Sequence, residues 1–314
     1  MSLHVVFGAG QVGTTLAEYL VHAGEPVRLV TRSPRPAVTG VELRQADAME
    51  RTAAVEAARG ASAIYHCMNP QYSLQTWRTV LPVLQQNLLA ASGATGARVV
   101  VLENLYALGD LGGRPGNEDT PIRPRSRKGE LRAQLFEGWF GAHRRGDAAV
   151  VMGRGSDFFG PRGTQTLFEE RFWRRAFAGK APQVLVQPDT PHTYHYIPDV
   201  AAGLAALGRA DEDVLGRWWV LPCGPPVTTR ELVRHIGVAI GRDLDVEVVP
   251  GPLRTVLKLF VPIIRELDEM RYQWEQPFVV EDRTFQERFR QPATPLDDAV
   301  RETVAWARQA YGRS

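Results

Sequence analysis

Short apolar runs bounded by turn residues alternate along this chain with stretches where apolar side chains recur every three or four positions. "LHVVF" at residues 3–7 runs straight into glycine, the signature of a strand buried on both faces. Leu16, Leu20 and Val21 follow at helical spacing, and "HAGEP" stops that helix before a second run, "VRLVT". The alternation continues with "ASAIYHCMN", a helix through residues 73–92, "ARVVVLENLY" and a helix from about residue 126. "DAAVVMGRGSDFFGP" and the short "PQVLVQP" read as strands, "IPDVAAGLAALGRA" as a helix opened by Pro198–Asp199, and "GRWWVLP" as one more strand.

Strands alternating with helices in this way predict an α/β protein with a Rossmann-type, doubly wound parallel sheet. Residues 1–160 and 186–222 are expected to form that nucleotide-binding domain. After residue 222 the texture changes. "TTRELVRHIGVAIG" predicts a helix capped by Thr228 or Thr229, "LDVEVVP" a strand, and residues 251–292 are rich in Pro, Arg and aromatic side chains. Residues 161–185 and 223–314 are therefore assigned to a smaller substrate lobe at the carboxyl edge of the sheet, where ligands of such sheets bind.

Composition narrows the function classes. The chain has 314 residues, 44% hydrophobic and 23% charged, enough for a large core. A net charge of +2 with interspersed signs leaves no basic face for nucleic acid. No apolar run approaches membrane-spanning length, and no secretory leader pattern opens the chain. Cys67 and Cys223 form no ligand cluster and no disulfide framework, which suggests a reducing cytoplasmic setting. "HTYHY" lacks the acid or Cys partners of a metal site, so no metal is expected.

Gly8, Gly10 and Gly13 form a GxGxxG set between the first strand and the first helix, with Gln11 and Val12 inside it. Glycines there let the backbone approach a pyrophosphate seated on the helix N-terminus. The second strand ends in "LVTRSPRP", which has no acid to accept from a ribose 2′-hydroxyl and offers Arg32 and Arg35 instead. Guanidinium suits a 2′-phosphate, so NADP(H) is expected over NAD(H), unless these are solvated loop arginines.

The residues also resemble the extended short-chain dehydrogenase/reductase family, the NAD-dependent epimerase/dehydratase-like proteins, over nearly the whole chain. The likeness rests on the glycine turn, "VVVLENLYALG", "EDTPIRPRSRKGELRAQ", "GRGSDFFGPRG" and "YHYIPDVAAGLAAL". It implies that Asp47 contacts adenine, and that Cys67, Met68 and Asn69 line the cofactor's ribose. The family's catalytic helix runs E-x-x-P-x-x-P and then Tyr-Gly-x-x-Lys. Aligning Glu118, Pro121 and Pro124 puts Lys128 in the Tyr slot and Arg132 in the Lys slot, and Leu102 or Glu103 where a Ser or Thr is usual. The usual Ser/Thr–Tyr–Lys set is thus missing. "KGELRAQLFE" is also similar to the Lys-x-x-x-Arg helix of isoflavone reductase-like members, which use that Lys as acid/base.

Lys128 is accordingly expected in the cleft as acid/base, one helical turn from Arg132 as cofactor or substrate clamp. The alternative for Lys128 is a solvated first-turn lysine, although lysine is scarce in this chain. Asn104 and Tyr106, at the carboxyl end of a strand, are further catalytic candidates. Tyr72, His192 and Tyr194 are weaker pocket candidates, and Trp274, Phe278, Phe285 and Phe289 are expected mainly in the core, with a homodimer contact the other reading. The expected function is reduction of a small carbonyl or imine substrate. The alternatives are an NAD-dependent epimerase or dehydratase and a non-catalytic NADP-binding sensor.

Overall fold

The computed structural model describes residues 2–312. The first half contains β1 (Leu3–Phe7), α1 (Gln11–His22), β2 (Val27–Thr31), β3 (Val41–Gln45), α2 (Arg51–Ala57), β4 (Ala61–His66), α3 (Leu74–Thr95), β5 (Arg98–Glu103) and α4 (Arg127–Arg144). Then come β6 (Val150–Arg154), β7 (Asp157–Phe159), α5 (Glu170–Phe177), β8 (Gln183–Val184), β9 (Tyr194–Tyr196), α6 (Ile197–Arg209) and β10 (Trp218–Val220). The remainder holds α7 (Thr229–Ile240), β11 (Glu247–Val248), α8 (Gly251–Phe260), α9 (Pro262–Asp268), α10 (Tyr272–Glu275), α11 (Arg283–Phe289) and α12 (Leu296–Tyr311).

Seven strands form one parallel sheet in the order β10-β6-β5-β4-β1-β2-β3. Its central strands are mainly apolar because helices cover both faces. On one face α1 packs on α6, burying Leu16, Leu20 and Leu204 completely. Each such leucine contributes about 1.5–3 kcal/mol by leaving water. The other face carries α3 and α4 through Trp77, Leu88, Leu135 and Trp139. A separate cluster built from Phe168, Phe172, Trp173, Leu232, Ile236 and Val300 joins α5, α7 and α12.

Two elements lack a strong local signal. β3 reads "VELRQ", a half-exposed edge strand with no apolar run, and α2 is a short alanine-rich helix. "LDVEVVP" supplies only the two residues of β11, which pair with β8 outside the main sheet. Thr228 caps α7 in a capping box with Glu231, and Ser126 caps α4 by accepting from the Gly129 amide.

The strand order reverses between β1 and β4. Chains leaving these two strands diverge to opposite sides, and this opens a crevice at their carboxyl ends.

Candidate active site

The crevice is a cleft of about 780 Å³. Its floor is the turn from β1 into α1. Gly8 adopts φ +108°, and a Cβ there would lie 2.8 Å from the Cys67 backbone. A Cβ on Gly13 would fall 1.8 Å from the Gly8 carbonyl oxygen, so the helix can sit this close to the strand only without one. Gly10 differs, because a Cβ there meets no protein atom within 4 Å and would project into open space. Gly10 is also the N-cap of α1 and offers no side chain to its first-turn amides. Those amides and the positive end of the helix are thereby free to meet an anion, which fits a dinucleotide pyrophosphate.

Gly8, Gly10, Gln11, Val12 and Arg32 line the cleft, while Gly13 lies beneath it as a packing contact. Asp47, Cys67, Met68 and Asn69 line it as well. Asp47 spends one carboxylate oxygen on the Met49 amide at 2.9 Å. Burial pushes the Cys67 thiol up to about 12, which keeps it from serving as a thiolate nucleophile. Neither the Arg32 nor the Arg35 guanidinium has a hydrogen-bonding partner among the described residues, and both arginines face the cleft.

The far end of the cleft is polar. Asn104 bends the chain after β5 by accepting from the Tyr106 amide at 3.0 Å. The Tyr106 hydroxyl lies 3.2 Å from that of Tyr72. Burial holds both phenols well above their ordinary value, so they stay neutral at any physiological pH. Gln273 reaches in from the lobe, and Ser156 and Asp157 from the end of β6.

Arg132 also lines the cleft, with both terminal nitrogens and its flat face engaged while its buried Nε has no partner among the described residues. Nη1 pairs with Glu103 at 2.9 Å, Nη2 donates to Asn69 Oδ1 at 3.1 Å, and the guanidinium lies 4.1 Å over the Trp77 ring. Glu103, where the family resemblance calls for a hydroxyl, is thus the buried counter-charge of the residue in the Lys slot.

Lys128 is placed differently from the expectation. It is 1% exposed, so it is not a solvated lysine, and it is not among the residues lining the cleft. Its ammonium turns toward the lobe and donates to Glu266 Oε2 at 2.5 Å, the Glu266 carbonyl at 2.9 Å and Glu269 Oε1 at 2.9 Å. Those three acceptors account for its three protons. Tyr72 separates it from the cleft, the ring centroid lying 5.0 Å from the ammonium. Two anionic partners outcompete the cleft for this cation.

Sequence alone assigns no role to Trp77 or Asp157, places Glu103 only as a candidate for the missing hydroxyl position, and leaves Tyr72 and His192 as weaker pocket candidates. Glu103 carried a signal, a carboxylate ending an otherwise apolar strand. Asp157 and His192 carried none locally, since they meet only when β7 and β9 pair. Tyr194 bonds Thr229 inside the lobe and does not line the cleft. Trp274, Phe278 and Phe285 are buried, and Phe289 packs against Trp219 and Phe285. No group of three or more His, Cys, Asp or Glu side chains placed to hold a metal occurs among the described residues. No described helix is long and apolar enough to cross a membrane.

No curated protein matches the sequence. Among solved structures, UDP-N-acetylglucosamine 4-epimerase from Bacillus cereus is 18% identical, with TM-score 0.76, covering 97% of this chain and 96% of that one. UDP-glucuronic acid 4-epimerase from Bacillus cereus, in complex with NAD, is 15% identical with TM-score 0.79, covering 99% and 98%. MoeE5 in complex with UDP-glucose and NAD is 20% identical with TM-score 0.77, covering 99% of each chain. Similarity at these identities establishes the shared fold. The family described as NAD dependent epimerase/dehydratase matches residues 4–220, which hold the glycine turn, nearly all of the cleft lining and, but for Leu3, the seven strands of the main sheet, and the chain belongs to that family.

Proposed function

We propose that this protein is an NADP(H)-dependent enzyme of the epimerase or dehydratase kind, acting on a hydroxylated, sugar-nucleotide-like substrate. The observation that carries the reading is the polarity of the far end of the cleft. Tyr72, Tyr106, Ser156, Asn104, Asp157 and Gln273 present hydroxyl, amide and carboxylate groups there. Such a wall suits a substrate with several hydroxyls better than the small, partly apolar carbonyl or imine expected from sequence. The family match and the UDP-sugars named with the structural neighbours support the same direction.

Gly8, Gly10 and Gly13 would hold the pyrophosphate, and Arg32 with Arg35 the 2′-phosphate. Asp47 would face the adenine and Asn69 the nicotinamide ribose. The cofactor, when bound, supplies reversible hydride acceptance. The protein's part is to orient the substrate carbon, exclude water and manage the hydroxyl proton. Lys128 does not serve as that acid/base in this reading, because its protons are engaged by Glu266 and Glu269. Arg132 acts as a positioning residue that fixes Asn69 and Glu103.

The test is to titrate the purified protein with NADP⁺, NADPH, NAD⁺ and NADH. UDP-glucose, UDP-glucuronic acid and UDP-N-acetylglucosamine are then added as probes, and products are followed by NMR. Epimerised or dehydrated sugar without net reduction of the nucleotide is the expected result. Stoichiometric consumption of NADPH with a carbonyl substrate would favour the reductase instead. One observation favours a binding-only sensor as the second reading: both helix positions that carry chemistry in the family are tied into ion pairs here. Nucleotide binding that depends on redox state, with no conversion of any probe, would support it.

A further inference from the structure

The cleft has lost the usual tyrosine, yet a proton must leave the substrate hydroxyl if hydride chemistry occurs there. We propose that Asp157, held from behind by His192, is the group that takes this proton. The inference rests on the proposed hydride chemistry and assigns its acid/base.

The end of β6 puts Asp157 in place. The Gly155 amide donates to the Glu103 carbonyl at 3.1 Å, tying this turn to the end of β5. A Cβ on Gly155 would lie 2.8 Å from the Phe158 ring, so glycine is what lets the chain turn here. Ser156 and Asp157 then enter the wall of the cleft, which the tyrosine pair also lines. Asp157 is close enough to the Tyr72 and Tyr106 hydroxyls for its charge to help hold both phenols neutral.

The two carboxylate oxygens have different surroundings. Asp157 Oδ2 lies 2.7 Å from His192 Nε2. Oδ1 accepts no hydrogen bond among the described residues, and the side chain is 30% exposed, facing the cleft. His192 is 2% exposed, its ring stacked near those of Trp274 and Phe278. Its Nδ1 has no partner, whereas Nε2 faces both Asp157 and the Ser156 hydroxyl at 3.2 Å. The proton is therefore assigned to Nε2, since a bare buried lone pair costs less than a bare buried N–H. An imidazole Nε2–H donating to Oδ2 orients the carboxylate and leaves Oδ1 as a free acceptor.

In the oxidising direction, the substrate O–H bond breaks and its proton passes to Asp157 Oδ1. The nicotinamide cofactor, when bound in its oxidised form, would supply the acceptor for the hydride that the same carbon gives up. The substrate loses two electrons and becomes a ketone, and the reverse step returns both proton and hydride. The tyrosine hydroxyls, being neutral, donate hydrogen bonds to the substrate oxygen rather than accept its proton.

A carboxylate at the reacting end also attracts the cationic oxidised ring and not the neutral reduced one. This gives a readout independent of turnover. In Asp157→Asn the affinity for NADP⁺ should fall roughly tenfold relative to that for NADPH, for a partly screened charge pair. Asp157→Ser gives the same comparison if the Asn variant folds poorly. Any probe that the wild type converts should also show kcat lowered about 10²–10⁴-fold with little change in KM. An unchanged NADP⁺/NADPH affinity ratio, or full turnover in Asp157→Asn, overturns the assignment. Failure of the wild type to bind either nucleotide would instead remove the proposed function itself, and this inference with it.

Discussion

Lys128 reaches across from the first turn of α4 to put its ammonium 2.5 Å from Glu266 Oε2 at the end of α9. Glu266 also accepts from the Leu74 amide at the start of α3, at 3.0 Å. One lysine and one glutamate thus fasten the lobe to the N-termini of both helices that flank the cleft.

Removing the lysine charge should loosen this joint. Breaking a buried pair costs about 3–5 kcal/mol, but Glu266 and Glu269 are 21% and 20% exposed, so Lys128→Met should lose about 1–3 kcal/mol. Burial alone would raise the Glu266 carboxyl, yet the Lys128 hydrogen bond, the Leu74 amide and nearby positive charge hold it below its ordinary value. Its contribution is therefore present above the unfolded carboxylate's pKa and fades as pH falls through the folded one. Urea midpoints of both proteins should differ at neutral pH and converge in acid. Equal midpoints at neutral pH would show that the joint carries no stability.

The glycines of the β1–α1 turn should separate folding from binding. Gly13→Ala forces a Cβ to within 1.8 Å of a backbone oxygen, so it should destabilise the whole domain by several kcal/mol, roughly the scale of severe overpacking and backbone displacement. Gly10→Ala meets nothing in the protein and should leave the melting temperature almost unchanged. It should nevertheless weaken NADP⁺ binding by about tenfold or more, because its methyl group enters the space where a pyrophosphate approaches. Calorimetry with and without nucleotide checks both. A Gly10→Ala protein that binds normally would place the phosphates elsewhere.

Arg32 provides the test of cofactor choice. Arg32→Ala should weaken NADPH binding by about 1–3 kcal/mol, the cost of losing a charged hydrogen bond, and leave NADH nearly untouched. Equal losses for the two nucleotides would assign Arg32 some other role.

His66, buried at the end of β4, should make the protein acid-sensitive. Burial first, and then the nearby Arg132 charge, lower its pKa from the ordinary 6.5 to about 3. The unfolded chain therefore takes up a proton below about pH 6.5 that the folded chain refuses until about pH 3. Stability falls as pH drops through that window, by roughly a few kcal/mol in all. His66→Gln cannot titrate and should show a shallower acid limb in the pH dependence of its urea midpoint. Parallel limbs would mean that other groups dominate acid unfolding.

The sheet was legible in sequence because buried parallel strands and the Leu16–Leu20 stripe are local signals. So was the register of α4, whose cap Ser126 precedes the helix directly. β3 has no such signal, because a half-exposed edge strand needs no apolar run. Lys128 shows the sharper limit. Its helix position could be read, but its direction is set by carboxylates 138 and 141 residues further along the chain. Asp157 and His192, 35 residues apart, likewise acquire meaning only from the pairing of β7 with β9. Backbone patterns announce where a side chain starts, whereas long-range charge decides where it ends.

The shared anchoring of Arg132 has a consequence for mutational paths. Its guanidinium joins the ends of β4 and β5 to α3 through Asn69, Glu103 and Trp77. A lysine there has neither the planar fork nor the flat face for all three contacts. A tyrosine at position 128 would likewise strand Glu266 and Glu269 without their cation. Conversion to the family's Tyr-x-x-x-Lys helix therefore cannot proceed by two independent steps. The two positions are coupled to partners on α3, β5, α9 and the loop after β4, and the group would have to change together.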